Sequence, residues 1–343
     1  MTTNMTKIKT TPIAVLGAGS FGTSLAILLA KNGNPTHLWG RSPEHIKKMR
    51  AARSNQKYLA NIQFPNELTL FDDFQSSIDG VTDILVVTPS HAFEQTLSSI
   101  KKYSKQNEQL RVVWACKGLE PGTGNFLSKK ADQIFDKNIV KGVLSGPTFA
   151  KELASGMPTA ITLASNNDQF STDLTQRLVN QTFRVYLSDD LEGVQFGGAI
   201  KNIIAIGAGM ADGLGFGANA RTALITRGLA EMMRLGTKLG GRTETFTGMA
   251  GLGDLILTCT DDQSRNRRYG LAIGKGASIE QAAKDIGQVV EGVRNTKEMA
   301  KLANKHLIDM PICQSIYKVL YEQQPPKEAA KDLLTRAMKV EGD

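Results

Sequence analysis

The chain has 343 residues, which is too long for one ordinary hydrophobic core and predicts two domains. Apolar residues make up 41%, charged residues 22% and aromatic residues 6%, a composition typical of packed globular proteins and unlike that of disordered ones. The formal net charge of +8 has two interpretations, since it either attracts an anionic ligand or reflects solvated surface lysines.

Several classes of protein are excluded by the sequence. No run reaches the roughly 18 consecutive apolar residues of a membrane span, and the polar start MTTNMTKIKTT lacks the apolar region of a secretory signal. We therefore expect a cytoplasmic protein without a membrane span.

Cys116, Cys259 and Cys313 have no CxxC spacing, which indicates free thiols in a reducing compartment. The four histidines are scattered without metal-ligand spacing, so we expect no metal.

Short β-rich apolar runs alternate with segments of helical period from residue 12 onwards, which is the pattern of βαβ units and a parallel sheet. The predicted strands are residues 13–16, 36–39, 84–87, 111–115, 140–144, 160–163 and 185–187. A first helix is predicted from Ser20 to Asn32, ended by Gly33. Past residue 190 the periodicity becomes helical throughout. There, residues 197–217 carry seven glycines in a helical pattern, which close helix packing and ligand contact would both explain.

A glycine-rich turn follows the first predicted strand. Gly17, Gly19 and Gly22 form G-x-G-x-x-G at the start of the first predicted helix. The first glycine permits a tight turn, the second lets the backbone approach a pyrophosphate, and the third lets helix and strand pack closely. A glycine turn without function would share the pattern. Its place in the first βαβ unit favours dinucleotide binding, with the pyrophosphate on N–H groups of the helix N-terminus.

Arg41 stands at the end of the second predicted strand, where NAD-selective sites usually present an acidic residue to the ribose. Because a guanidinium can pair with a 2′-phosphate, NADP(H) is favoured or at least accepted beside NAD(H). The alternative is that Arg41 stacks on adenine or points into water.

The predicted fold class is α/β, with an N-terminal Rossmann-like domain built on a doubly wound, mostly parallel sheet and an all-α C-terminal domain. We expect a flexible tail at residues 1–11 and a dinucleotide-binding domain at residues 12–190. A helical substrate-binding and catalytic domain is expected at residues 191–338, followed by a tail at residues 339–343.

Four further segments are rich in polar residues where core packing alone would not require them. Their candidate functional residues are Lys117, Gly146, Thr148, Lys201, Asp254, Ser264, Arg265 and Asn266. Lys201 lies among apolar neighbours, and burial there would lower its pKa and suit it to proton transfer; the alternative is a lysine on a solvated helix face. Asp254 either holds such a lysine or caps a helix.

The run at residues 264–268 offers hydroxyl, guanidinium and amide donors suited to a phosphate. It is too short, and too poor in aromatic residues, for a nucleic-acid patch. We therefore expect a small-molecule partner and no nucleic acid.

At these residues the chain resembles the bacterial-type NAD(P)-dependent glycerol-3-phosphate dehydrogenases. The resemblance covers nearly the whole chain, through blocks that include GAGSFGTSLA, CKGLE, SGPTFAKELASGMPTA, GMAGLGDLILTCTDDQSRNRRYG and GQVVEGVRNTKE. It implies reversible hydride transfer between NADPH or NADH and dihydroxyacetone phosphate, giving sn-glycerol 3-phosphate for phospholipid synthesis. A homodimer is an expectation from this resemblance alone.

The resemblance also implies roles for individual residues. Lys201 resembles the proton donor and acceptor at the reacting oxygen, with Lys117 and Asp254 as its polar partners. The remaining substrate contacts that it implies are Gly146, Thr148, Ser264, Arg265 and Asn266. The cofactor contacts that join the three glycines are Ser20, Phe21, Arg41, Tyr58, Lys117, Ala150, Arg265, Val289 and Glu291. Asn202 and Thr258 are secondary candidates.

Two other functions are compatible with the same motifs. One keeps the fold and changes the substrate to a sugar acid or a 3-hydroxyacid. The other is a redox-sensing module that binds the dinucleotide without turnover. A sensor has no use for a buried lysine beside an acidic residue, so Lys201 favours an enzyme.

Overall fold

The computed structural model describes residues 11–104, 109–135 and 139–336. Residues 1–10 of the predicted N-terminal tail and the whole predicted C-terminal tail lie outside this range. The chain divides into two compact units. The first comprises Met1–Cys116 and Leu127–Val194, and the second comprises Lys117–Phe126 and Gln195–Asp343. Lys117–Phe126 thus packs with the second unit, although in the sequence it falls inside the range 12–190.

The strands all belong to the first unit. Numbered in chain order, they are β1 Ile13–Leu16, β2 Thr36–Trp39, β3 Ser54–Asn55, β4 Leu59–Gln63, β5 Leu68–Phe71, β6 Asp83–Val86, β7 Arg111–Trp114, β8 Val140–Ser145, β9 Thr159–Ser165 and β10 Phe183–Ser188. Eight of them form one sheet in the order β10-β9-β8-β7-β6-β1-β2-β5. Neighbouring strands are parallel except for the antiparallel pair β8 and β9. Strands β3 and β4 form a separate antiparallel pair.

Each of the seven predicted strands is present, with ends shifted by at most two residues. The sequence interpretation missed β3, β4 and β5. Strand β5 has the sequence LTLF and lies at the edge of the sheet, where two of its four residues, Leu68 and Leu70, are buried and the continuous apolar run of a central strand is lacking. By contrast, all four residues of the central strand β1 are fully buried, as expected for a parallel sheet covered on both faces.

Seven helices accompany the sheet in the first unit as far as the structure describes it. They are α1 Ser20–Lys31, α2 Pro43–Ala52, α3 Phe74–Ile78, α4 Phe93–Tyr103, α5 Leu127–Phe135, α6 Ala150–Ser155 and α7 Asp168–Leu178. A short 3₁₀ turn at Ser90–Ala92 precedes α4. The first helix ends one residue before the predicted Asn32, which is its C-cap, and Gly33 follows with φ +81°.

All regular structure described between residues 189 and 336 is helical, as predicted. The helices are α8 Leu191–Gly213, α9 Gly217–Lys238, α10 Thr243–Thr247, α11 Asp254–Thr260, α12 Arg265–Gly274, α13 Ile279–Ile286, α14 Glu291–His306, α15 Pro311–Tyr321 and α16 Pro326–Leu334. A π-helical turn at Met249–Gly253 leads into α11. Helix α8 has the length and mean hydropathy of a membrane span, but it is fully buried, as a core helix of a globular domain is.

Close helix packing explains the glycines of α8. A Cβ added at Gly209 would lie 2.0 Å from the carbonyl oxygen of Arg267 in α12, and a Cβ at Gly270 would lie 2.0 Å from that of Ile206 in α8. The two helices therefore cross with their backbones in contact, which only glycine permits. The helical interpretation of residues 197–217 was wrong at its end, because α8 stops at Gly213 and a turn precedes α9.

Candidate active site

The glycine-rich turn lies between β1 and α1. Strand β1 is the switch point of the sheet, because β2 and β5 lie on one side of it and β6 to β10 lie on the other. Gly17 has φ +127°, and a Cβ there would lie 2.6 Å from the carbonyl oxygen of Val87. A Cβ on Gly22 would lie 1.9 Å from the carbonyl oxygen of Gly17, whereas at Gly19 it would meet nothing within 4 Å. The three glycines therefore serve the turn, the helix–strand contact and the open approach that a pyrophosphate needs.

Asn55 holds this turn and was missed by the sequence interpretation. Its Nδ2 donates to the carbonyl oxygen of Ala18, 3.1 Å away, and to Oγ1 of Thr23, 2.8 Å away. The residue is fully buried in β3. No spacing rule points to it, because its partners belong to a segment more than 30 residues earlier in the chain.

Arg41 and Tyr58 lie near the carboxyl end of β2 and after β3, respectively. Arg41 is exposed and follows β2 by two residues, as predicted. Tyr58 is half-buried, and its ring meets that of His45 edge-on at 5.5 Å between centroids. Lys57 Nζ lies 5.1 Å from the centroid of the Tyr58 ring. Ser20 and Phe21 begin α1.

Gly146, Thr148 and Ala150 follow the carboxyl end of β8, with Ala150 at the start of α6. Oγ1 of Thr148 is buried and has no hydrogen-bond partner within the described ranges. A buried hydroxyl without a partner is costly, so a ligand that bonds to it would be stabilised there.

In the second unit, three helical or loop segments bring together two lysines and one carboxylate. Lys201 comes from the middle of α8, Asp254 begins α11, and Lys117 begins the segment Lys117–Phe126. Lys117 Nζ lies 2.6 Å from Oδ2 of Asp254, and Lys201 Nζ lies 3.0 Å from Oδ1 of the same residue. Lys201 Nζ also donates to Oγ1 of Thr258, 2.7 Å away. Thr258 in turn donates to the Asp254 carbonyl oxygen at 2.6 Å.

Burial and charge shift the pKa values of this cluster. Burial, together with a smaller effect of repulsion from Lys117, lowers the pKa of Lys201 to about 8, against the opposing attraction of Asp254. Burial alone would raise the pKa of Asp254, but the two lysines outweigh it and hold that pKa below its usual value. Lys201 and Asp254 are 7% and 1% exposed and form a buried ion pair, as the favoured sequence interpretation expected, rather than the alternative solvated lysine and simple helix cap.

A chain of side-chain amides borders the cluster. Asn266 donates through Nδ2 to Oδ1 of Asn202 at 2.9 Å and accepts from the backbone N–H of Gly292 at 3.0 Å. Asn202 donates to the carbonyl oxygen of Lys117 at 3.3 Å. The structure therefore brings Asn202 next to the main chain of Lys117, and Asn266 next to Asn202.

The remaining residues of the candidate phosphate-binding run at residues 264–268 differ in their roles. Ser264 caps α12 by accepting from the backbone N–H of Arg267 at 3.2 Å, so its hydroxyl oxygen is partly committed to the helix. Arg265 donates to Oε1 of Gln288 at 2.9 Å. Arg267 is buried and bonds to Asp212 and Asp262, which makes it structural. Val289 is exposed, and Glu291 begins α14.

The three cysteines are buried and free, and burial raises the pKa of the Cys259 thiol, beside the cluster, to about 12. Within the residues that the structure describes, no group of three or more His, Cys, Asp or Glu side chains could hold a metal ion. The charged groups of the cluster are the two lysines and the carboxylate. A buried ammonium group with a lowered pKa can stabilise a developing alkoxide and transfer a proton to it.

A doubly wound sheet with a glycine-rich turn at its switch point, together with a helical unit that buries a lysine–aspartate pair, defines a two-domain nicotinamide-dependent dehydrogenase. The sequence model of the NAD-dependent glycerol-3-phosphate dehydrogenase N-terminus matches residues 12–171, and that of the C-terminus matches residues 190–331. The chain belongs to this family of NAD(P)-dependent oxidoreductases, which act on a CH–OH group.

Individual relatives agree with the family models. The glycerol-3-phosphate dehydrogenase [NAD(P)+] of Vibrio vulnificus is 55% identical over 331 residues, which are 96% of this chain and 95% of the relative. That of Photobacterium profundum is 56% identical over 330 residues, which are 96% and 97% of the two chains. The crystal structure of glycerol-3-phosphate dehydrogenase from Coxiella burnetii has a TM-score of 0.92 at 47% identity and covers 95% of this chain and 99% of that one. The predicted fold class, the family resemblance and the NAD(P) dependence are thereby confirmed.

Proposed function

We propose that the chain catalyses reversible hydride transfer between NADPH or NADH and dihydroxyacetone phosphate, giving sn-glycerol 3-phosphate for phospholipid synthesis. The observation that carries this proposal is the buried cluster of Lys117, Lys201 and Asp254. In this proposal residues 12–190 bind the dinucleotide, and residues 191–338 bind the substrate and transfer the proton.

Lys201 is the proposed acid and base. The nicotinamide supplies the hydride when bound. As the substrate carbonyl carbon is reduced, its oxygen becomes an alkoxide, and the Lys201 ammonium group stabilises that charge and donates its proton. In the reverse direction neutral Lys201 accepts the hydroxyl proton. Since burial lowers the pKa of Lys201 to about 8, reduction loses its acid above that pH, whereas oxidation gains its base.

Lys117 and Asp254 are the proposed partners of Lys201. Asp254 binds both ammonium groups through different oxygens and so fixes the direction of each. Lys117 adds a positive charge, which favours a negatively charged substrate and holds down the pKa of Lys201.

Gly146, Thr148, Ser264, Arg265 and Asn266 are the proposed substrate contacts. The partnerless Thr148 hydroxyl supports this role, as does the donor set at the start of α12. A ligand that bonds to the Thr148 hydroxyl would be favoured over an analogue that leaves this buried group unpaired.

The proposed cofactor contacts come from both units, and two of them, Lys117 and Arg265, are also proposed substrate contacts. They are Gly17, Gly19, Ser20, Phe21, Gly22, Arg41, Tyr58, Lys117, Ala150, Arg265, Val289 and Glu291. The open space at Gly19 supports pyrophosphate binding at the start of α1. The exposed Arg41 supports a preference for NADPH.

The proposed setting is the cytoplasm, and the proposed assembly is a homodimer. The homodimer rests on the family resemblance alone. The partner is a small phosphorylated ketone rather than a nucleic acid.

A substrate comparison tests the proposal. Purified protein is mixed with NADPH and either dihydroxyacetone phosphate, unphosphorylated dihydroxyacetone or a 3-keto acid, and absorbance at the NADPH band is followed. We expect rapid oxidation with the phosphorylated ketone only. Turnover of the keto acid alone would favour the hydroxyacid alternative, and NADPH binding without any turnover would favour the sensor.

A further inference from the structure

One face of helix α14 fastens the segment that carries Lys117. Asn295, Glu298 and Lys301 are spaced three residues apart and so lie along the same side of the helix. Nδ2 of Asn295 donates to the carbonyl oxygen of Lys117 at 3.0 Å. Oε1 of Glu298 accepts from the backbone N–H of Gly122 at 3.0 Å, and Lys301 Nζ donates to the Gly122 carbonyl oxygen at 3.1 Å.

Asn295 also bonds to helix α8. Its Nδ2 also donates to the carbonyl oxygen of Ala199, 3.0 Å away and two residues before Lys201 on α8. A single primary amide has two N–H donors, and here both are used on the backbones that carry the two lysines. Asn295 is 1% exposed, so water cannot replace these bonds without entering the core.

The side chains of Lys117 and Lys201 need this support because of their shape. Each has a flexible four-carbon stem, and both end on one carboxylate, that of Asp254. Flexible stems converge on a fixed point only if the backbones that bear them are held at a fixed separation. Groups that act in catalysis must be held to about 0.5 Å, and a misplacement of about 1 Å can cost roughly 10²-fold in rate.

We propose that Asn295 is a positioning residue, whose amide fixes the main chain of Lys117 against helix α8 and thereby aligns Lys117, Asp254 and Lys201 for proton transfer. This inference rests on the proposed function, in which Lys201 transfers the proton. Asn295 itself contacts backbone carbonyl groups and does not act on the substrate.

The test replaces Asn295 by leucine, which has the same branched skeleton of heavy atoms and removes both donors. Thr296→Val is the matched control, because Thr296 is equally buried in α14 and its hydroxyl bonds only within that helix, to Gly292. We expect Asn295→Leu to lower kcat about 10- to 100-fold with NADPH affinity within about twofold of wild type, while Thr296→Val retains kcat.

The pH profile separates positioning from a general structural role. The groups that act on the charge of Lys201 are Asp254, Lys117 and Cys259. If Lys117 moves away, its repulsion is lost and Lys201 holds its proton to higher pH. The alkaline limb of kcat/KM for ketone reduction should therefore shift upward in Asn295→Leu and stay in place in Thr296→Val.

Amide hydrogen exchange gives a readout that does not depend on turnover. Exchange in residues 117–126 should accelerate in Asn295→Leu and not in Thr296→Val. If Asn295→Leu does not fold, Asn295→Ser, which retains one donor, takes its place with smaller changes in the same directions. Unchanged exchange, or an unshifted pH limb with full kcat, would overturn the inference. Wild-type protein inactive on dihydroxyacetone phosphate, with exchange still changed, would instead count against the proposed function.

Discussion

At the scale of single residues, the cluster around Lys201 has more positive than negative charge. Two ammonium groups share one carboxylate in a site where Lys201 and Asp254 are almost inaccessible to water. A buried charge without full compensation is costly, and the protein offsets part of that cost by lowering the pKa of Lys201. A developing negative charge on a substrate oxygen would complete the cluster, which is the condition for transition-state stabilisation.

Arg41 provides a test of cofactor choice at this scale. We predict that Arg41→Asp weakens NADPH binding and leaves NADH binding less affected, because a carboxylate repels the 2′-phosphate and can accept from the ribose hydroxyl. Fluorescence titration with both dinucleotides measures the two affinities. Lys47→Asp, an equal change of charge on the exposed side of α2, is the control. An unchanged ratio of the two affinities would mean that Arg41 does not read the phosphate.

The sequence indicated the chemical residues better than the residues that hold them. Lys201, Asp254 and Lys117 stood out as polar groups in apolar or glycine-rich surroundings, and the structure does bring them together. Asn55 and Asn295 did not stand out. Both bond to backbone carbonyl groups of segments that are distant in the chain, so no residue spacing in the sequence points to either of them.

At the scale of elements, long periodic patterns were predicted well and short edge elements were not. The central strands of the sheet are continuous apolar runs, and each was found within two residues of its prediction. Strand β5 is a four-residue edge strand, and β3 and β4 form a small hairpin-like pair, so none carries a long apolar signal. The sequence interpretation extended the helix to residue 217, because Gly215 and Gly217 continue the row of glycines in α8. Close helix packing requires glycine only as far as Gly213, where α8 ends.

The junction of α9 and α15 gives a prediction at this scale. Glu231 of α9 is buried and accepts from the backbone N–H groups of Ile312 and Cys313, at 2.6 and 3.1 Å, in the first turn of α15. Burial raises the pKa of Glu231 to about 7, although these hydrogen bonds oppose the shift. A carboxyl group whose pKa is raised on folding adds stability below its unfolded pKa and loses that contribution as the pH rises through its folded pKa.

We therefore predict that Glu231→Gln is more favourable, relative to wild type, at pH 8 than at pH 5.5. Urea unfolding at both pH values measures the two differences in free energy of unfolding. Glu328→Gln, on the exposed side of α16, reports the effect of removing a surface carboxylate. The same difference at both pH values would show that Glu231 does not titrate on folding in this range.

At the scale of the whole molecule, length and periodicity were sufficient to predict an α/β part followed by a helical part, and the fold class is confirmed. They were not sufficient to place Lys117–Phe126 in the second unit. This segment follows β7 in the chain, and its tertiary contacts with α8, α11 and α14 show where it packs. Chain order predicts neighbours within a βαβ unit, but it does not predict which distant helix holds a loop.

The central claim is that Lys201 transfers the proton in the reduction of a phosphorylated ketone. The most direct measurement compares wild type and Lys201→Ala for kcat with dihydroxyacetone phosphate and NADPH, and for NADPH affinity and thermal unfolding. We predict a loss of about 10²-fold or more in kcat, the scale of general acid–base catalysis, with cofactor affinity and fold retained because Lys117 still pairs with Asp254. Full turnover by a folded Lys201→Ala protein would contradict the account.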